Sequence, residues 1–173
     1  MNTWLEETHK RAREMLPMDE GYIISHAPIA PYLSVWGGDD SYLSFVLNYQ
    51  DEIDFIALQY YNQKLYTSYF TTFESTSGSW AEGSTIKELK DAGVEVSKLV
   101  VGKPLNTLCG SSGFIVPEVL NDYGCRAKRE IGFVGGFMTW MYMSSRSAES
   151  VEWASGLRKL CDGDFAPNCT IET

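Results

Sequence analysis

The 173-residue sequence is short of positive charge, of histidine and of long apolar runs, and each shortage removes a class of function. Fourteen Lys and Arg stand against twenty-three Asp and Glu, a formal net charge of -9. Such a chain repels a phosphate backbone, so no nucleic-acid partner is expected. No apolar run reaches the roughly 20 residues of a membrane helix, so no membrane partner is expected either. The two histidines, His9 and His26, lie far from the cysteines, and no two cysteines are two or three residues apart. Zinc spacing is therefore missing, and neither a metal nor another cofactor is expected. The opening Met1-Asn2-Thr3-Trp4-Leu5-Glu6 is polar and lacks the apolar core of a secretory leader.

Familiar catalytic signatures are missing as well. Gly102-Lys103-Pro104 has no Ser or Thr after its lysine, and Ser97 stands where a phosphate loop needs its first glycine. Gly110-Ser111-Ser112-Gly113 lacks the spacing of a nucleophile elbow. His26 reads as a hydrogen-bonded residue at a strand end rather than as a base.

What is present fits one globular domain. Hydrophobic residues make up 44% of the chain, and its length suits one well-buried core. Cys109, Cys125, Cys161 and Cys169 all fall in the second half and allow three disulfide pairings. Pairing Cys109 with Cys125 and Cys161 with Cys169 closes two local loops and is the expected one. Asn168-Cys169-Thr170 is a glycosylation pattern of the kind found in secreted proteins.

Thr3 and Glu6 form a capping box ahead of an apolar stripe that Pro17 ends, so the chain opens with a helix. A strand is predicted over 21–27, then a loop with Tyr32 and Trp36. A helix capped by Asp39, Asp40 or Ser41 follows, with Tyr42, Phe45, Val46, Tyr49 and Ile53 at helical spacing. Asp54 to Asn62 is the central strand: Phe55, Ala57, Gln59 and Tyr61 share one face, Ile56, Leu58 and Tyr60 the other. Both faces are apolar for most of its length, as in a parallel strand covered on both sides. A long loop over 63–83 follows, read as functional or mobile. Next come a helix with a Thr85 and Glu88 capping box, a strand over 98–103, a helix opened by Pro117 and a strand over 133–142. A last helix, capped by Ser147, turns Val151, Ala154, Leu157 and Leu160 inward.

The order is a helix followed by four strand-helix units, with strands roughly thirty to forty-five residues apart, which argues for parallel pairing. The expected fold is α/β, a partial TIM (β/α)8 barrel over 1–161, with a cysteine-bearing tail over 162–173. Four units are half of an eight-stranded barrel. Their strand ends would gather His26, Gln59, Tyr61, Asn62, Lys103, Asn106, Trp140 and Tyr142. No carboxylate is among them, and Asp51, Glu52 and Asp54 at the other end read as a solvated helix terminus. Aromatics and amides at strand ends serve either an ordinary core or a neutral sugar, whose ring stacks while its hydroxyls bond.

Ser25-His26-Ala27-Pro28 with Ala30-Pro31-Tyr32, Gln59-Tyr60-Tyr61-Asn62, Gly78-Ser79-Trp80, Leu99 to Pro104 and Gly135-Gly136-Phe137-Met138-Thr139-Trp140 resemble, in order and spacing, the later half of a fungal-type chitinase of glycoside hydrolase family 18. The resemblance implies strands five to eight of a (β/α)8 barrel, an extracellular setting, and chitin or N-acetylglucosamine oligomers as partners. In that family the substrate's acetamido oxygen attacks its own anomeric carbon while an enzyme Glu protonates the leaving oxygen, an exception to two-carboxylate hydrolysis. By position, Tyr61 matches the phenol that holds the acetamido oxygen. Gln59 and Asn62 match its polar neighbours, and Trp140 matches the ring beneath the cleaved sugar. Ile29 departs from the pattern, since relatives commonly carry Gln after Ala-Pro.

The family's acid ends an Asp-x-x-Asp-x-Asp-x-Glu motif on the fourth strand, and this sequence has no such motif. Asp51-Glu52-Ile53-Asp54 mimics its first half, but Ile56 and Leu58 stand where the third Asp and the Glu would be. The expected protein keeps part of a substrate site and is inactive alone. An active enzyme completed by another half, or a carbohydrate-binding protein without catalysis, is consistent with the same residues. Open sheet edges further imply a homo-oligomer or a complementing N-terminal half-barrel.

Overall fold

The computed structural model describes residues 3–142 and 147–161. The opening helix α1 spans Thr3–Met15 and ends ahead of Pro17, as its pattern predicts. After it come β1 (Ser25–His26), α2 (Tyr42–Tyr49), β2 (Phe55–Gln59), α3 (Ile86–Asp91), β3 (Leu99–Pro104), α4 (Pro117–Ile131), β4 (Phe137–Trp140) and α5 (Ser147–Cys161). The four strands form one parallel sheet in the order β1-β2-β3-β4.

Register divides the sheet into two faces. Ile56 and Leu58 pair across from Leu99 and Val101, and all four are fully buried in the main core beneath the helices. Burial of each such side chain stabilises the fold by about 1.5–3 kcal/mol. Phe55, Ala57 and Gln59 alternate with them and share the other, open face with Val100, Gly102, Pro104, Met138 and Trp140.

Several elements differ from their sequence-based reading. The strand predicted over 21–27 keeps only Ser25 and His26 as ladder residues, because the Asp54 carboxylate accepts from the Ile24 N–H at 2.7 Å. A side chain thus takes the place of a backbone rung, and Tyr22 and Ile23 face solvent. The strand predicted over 133–142 pairs only over Phe137–Trp140. Gly135 passes so close to β3 that a Cβ there would lie 1.9 Å from the Leu99 carbonyl oxygen, and Gly136 takes φ +102°. The pair of glycines turns the chain into the sheet rather than lying along it. Trp140 is joined to Met141 by a cis peptide.

The long loop is packed. Residues Phe70–Glu74 make a π-helical turn, and Tyr66, Tyr69 and Phe73 are buried, with Tyr69 stacked on Phe73 at 5.2 Å. Helix α5 turns Trp153 and Leu157 inward and leaves Val151 and Ala154 exposed, the reverse of the expected stripe for two of its residues. The indole carries the larger apolar area, and its burial sets the rotation of the helix. The caps assigned to Thr3 and Ser147, the inward Leu160, and the tail over 162–173 lie outside the described side chains. Helix α2 is capped by Ser41, whose hydroxyl accepts from the Ser44 N–H, and Thr85 with Glu88 completes the expected capping box on α3.

Candidate functional site

Parallel pairing brings the C-terminal ends of β2, β3 and β4 together, and the open face there begins with a row set by register. Gln59, Gly102 and Met138 lie side by side across three strands. A Cβ on Gly102 would sit 2.7 Å from Met138 Cε, so the methionine lies across the glycine and floors the face. One register step further on, Pro104 lies beside Trp140, whose ring is 49% exposed.

Each predicted site residue has a distinct environment. Gln59 donates from Nε2 to the Ala27 carbonyl at 2.6 Å, which ties β2 to the loop after β1. The chain leaves β2 through Tyr60, whose N–H bonds the Gly102 carbonyl, and Tyr61 follows with its ring buried. The Tyr61 hydroxyl has no hydrogen-bond partner among the described residues and is not one of the sealed-off polar atoms. Burial pushes its pKa above the usual phenol value, so it stays a hydrogen-bond donor. Asn62 takes a left-handed φ of 70°, and its Oδ1 accepts from the Ser111 N–H at 2.7 Å, so its amide oxygen anchors the loop after β3. The structure thus brings Gln59, Tyr61 and Trp140 to one end of one sheet.

Lys103 does not reach that face. It lies on the helix-covered side with Leu99 and Val101, fully buried, and donates to Tyr66 O at 2.8 Å, Thr72 Oγ1 at 3.1 Å and Tyr60 O at 3.3 Å. Val101 is on that covered side as well. Alternation with Leu99 and Val101 was the sequence signal for both. Asn106 bonds Glu149 of α5 at 2.7 Å and supports the loop after β3. Cys109 is half-buried in that same loop, and Cys125 is buried on α4. Cys169 and the side chain of Cys161 lie outside the described residues.

The acidic cluster at the opposite end of the sheet is more than a solvated helix terminus. Asp54 accepts from Arg13 at 3.0 Å as well as from Ile24, and these bonds hold its carboxyl below the usual range, the Ile24 N–H contributing most. Arg13 also bonds the Glu52 carbonyl, so the end of α1 is clamped to the start of β2. His26 is hydrogen-bonded at its strand end, as expected, with Nδ1 2.6 Å from the Tyr42 hydroxyl. Its further contact with His9, 3.3 Å away, joins residues whose sequence positions gave no sign of it. Among the described residues no group of three His, Cys, Asp or Glu side chains is placed to hold a metal ion.

A scan against protein-family models and a search of curated proteins find no match. Solved structures do match. The chain is similar to a family 18 chitinase from Pseudoalteromonas aurantia, at 22% identity and a TM-score of 0.63, over 88% of this chain and 50% of that one. It is similar to a fungal endo-beta-N-acetylglucosaminidase of glycosyl hydrolase family 18 at 23% identity and a TM-score of 0.68, over 92% and 52%. A chitinase from Aspergillus fumigatus matches at 20% identity and a TM-score of 0.56, over 89% and 52%. The chain spans about half the length of each of these structures. Its four parallel strand-helix units therefore have the fold of one half of the family 18 glycoside hydrolase barrel.

Proposed function

We propose that the chain is the strand-five-to-eight portion of a family 18-type barrel and that its open face offers part of a site for N-acetylglucosamine polymers. The observation that carries this reading is the grouping of Tyr61 and Trp140 at the same sheet end, one with an unpartnered hydroxyl and the other with an exposed ring. In this reading Trp140 stacks on the apolar face of a sugar, Tyr61 donates to an acetamido oxygen, and Gln59 offers its remaining carbonyl to a hydroxyl. Asn62 acts one step back, by holding the loop that flanks Tyr61.

Hydrolysis needs a proton for the leaving oxygen, and none of the described strand residues on the open face is a carboxylate. General-acid assistance is worth roughly 10²–10⁴-fold. The acid and the remaining strands would come from an N-terminal half-barrel, on another chain or a longer gene product, that pairs with the edges at β1 and β4. Without it the chain binds sugar weakly and does not cleave it.

Titration calorimetry with chitotetraose tests the site. Trp140→Ala is expected to weaken binding by about tenfold, the upper end of what one aromatic stack contributes. Equal affinity in parent and variant would show that the site is elsewhere. A fluorogenic chitobioside is expected to stay uncleaved by the chain alone. Turnover that disappears on changing one of its own carboxylates would refute the inactive reading.

A further inference from the structure

A second cavity, of about 370 Å³, opens between the start of α1 and the segment after β1, lined by Trp4, Leu5, Tyr32 and Tyr42. Its size falls at the lower end of the roughly 300–1,000 Å³ of small-ligand pockets. Among the described residues three of its four walls are aromatic and none is charged, and Trp4 and Tyr32 are 69% and 61% exposed. Tyr42, one of its walls, is hydrogen-bonded to His26 of β1, and β1 lies three strands from the strand that carries Trp140.

One polar group lines this cavity with a defined role. The Tyr42 hydroxyl lies 2.6 Å from His26 Nδ1, and His26 Nε2 lies 3.3 Å from His9 Nδ1. His9 Nε2 has no shorter contact than Glu52 Oε2 at 3.4 Å, a long one. With its proton on Nε2, a neutral His26 donates to His9 Nδ1 and accepts the Tyr42 proton at Nδ1. Both imidazoles must be neutral for this. Burial lowers both pKa values, that of His26 to about 4, and the Tyr42 hydroxyl is pushed up to about 12 by the same cause. With its proton committed to His26, the Tyr42 oxygen can only accept from a ligand.

We propose that this cavity is a second carbohydrate site, taking one neutral pyranose ring against Trp4 and Tyr32 with a sugar hydroxyl donated to Tyr42. Aromatic walls stack on the apolar C–H face of a pyranose, and the Tyr42 oxygen is placed to accept from a hydroxyl on the rim of that ring. The site rests on residues other than those of the Tyr61 and Trp140 face, so each can fail without the other.

The test is calorimetry on the full chain with chitotriose and cellotriose, on a Trp140→Ala background that weakens the first face. That background is expected to keep binding at least one of the two sugars. Adding Trp4→Ala should abolish the residual binding, Trp4→Phe should restore part of it, and Tyr42→Phe, which keeps the ring, should weaken it about two- to tenfold, the range of one hydrogen bond. Three results overturn the proposal: no binding left on Trp140→Ala alone, residual binding indifferent to both Trp4→Ala and Tyr42→Phe, or a Trp4→Ala change in sedimentation with sugar affinity intact. The last would assign the aromatic patch to a protein contact. Residual binding that depends on Trp4, with Trp140→Ala itself harmless in the parent, would support this site while refuting the first.

Discussion

Lys103 is fully buried with no carboxylate among its hydrogen-bond partners. Its nitrogen donates to the Tyr60 and Tyr66 carbonyls and to Thr72 Oγ1. Burial lowers its pKa from 10.5 to about 7. Between those values the unfolded chain holds a proton that the folded chain lacks, so stability rises with pH. The slope is at most about 1.4 kcal/mol per pH unit for one group. Urea unfolding at pH 7 and at pH 9 should therefore give a higher midpoint for the parent at pH 9. Lys103→Met should remove most of that rise while costing stability at both values, because two carbonyls lose their donors. A variant with the parent's full pH dependence would show that the linkage lies in another group.

The segment over 63–83 shows how a single element can be fixed by a few polar atoms. Glu88 accepts from Ser75 Oγ, from Thr76 N and Oγ1, and from Thr85 N, so one carboxylate caps α3 and fastens the preceding loop to it. Burial pushes the Glu88 pKa up, but the bonds from Thr76 and Thr85 more than offset it, and the net shift is downward. The stabilisation is thus present above the usual carboxylate value and is lost as pH falls through the folded one. Thr85→Ala removes the cap and also the bond to the Glu74 carbonyl. It should cost about 1–2 kcal/mol, or roughly 3–6 °C in thermal midpoint, and should raise proteolysis within the loop; an unchanged midpoint would dismiss the cap as a determinant. This box, the opening helix, Pro117 and the alternation in β2 were legible in the sequence because each is a local signal. The lengths of β1 and β4 were not, because a distant Asp54 side chain and the Leu99 carbonyl decide where pairing stops. The site divides the same way. Tyr61 and Trp140 follow from strand-end position, whereas the Met138 side chain across Gly102 and the meeting of His9 with His26 depend on which elements become neighbours.

At the scale of the whole molecule, the sheet has helices on one face, while Phe55, Trp140 and Met141 stay exposed on or beside the other. Its outer strands, β1 and β4, leave backbone groups without a neighbouring strand among the described residues. Exposed apolar area and open edges recruit other chains. Sedimentation at micromolar concentration should show a dimer or larger species, or a complex once an N-terminal half-barrel is supplied. A monodisperse monomer that unfolds in one sharp transition would show instead that the open face is tolerated. The strand order has a consequence for synthesis. Because each strand lies beside the one made just before it, a nascent chain leaving the ribosome can dock every new strand on a finished neighbour, with nothing held back for a later partner. The two edges differ in order of synthesis: β1 emerges before β4 and can meet a partner while the later strands are still being made.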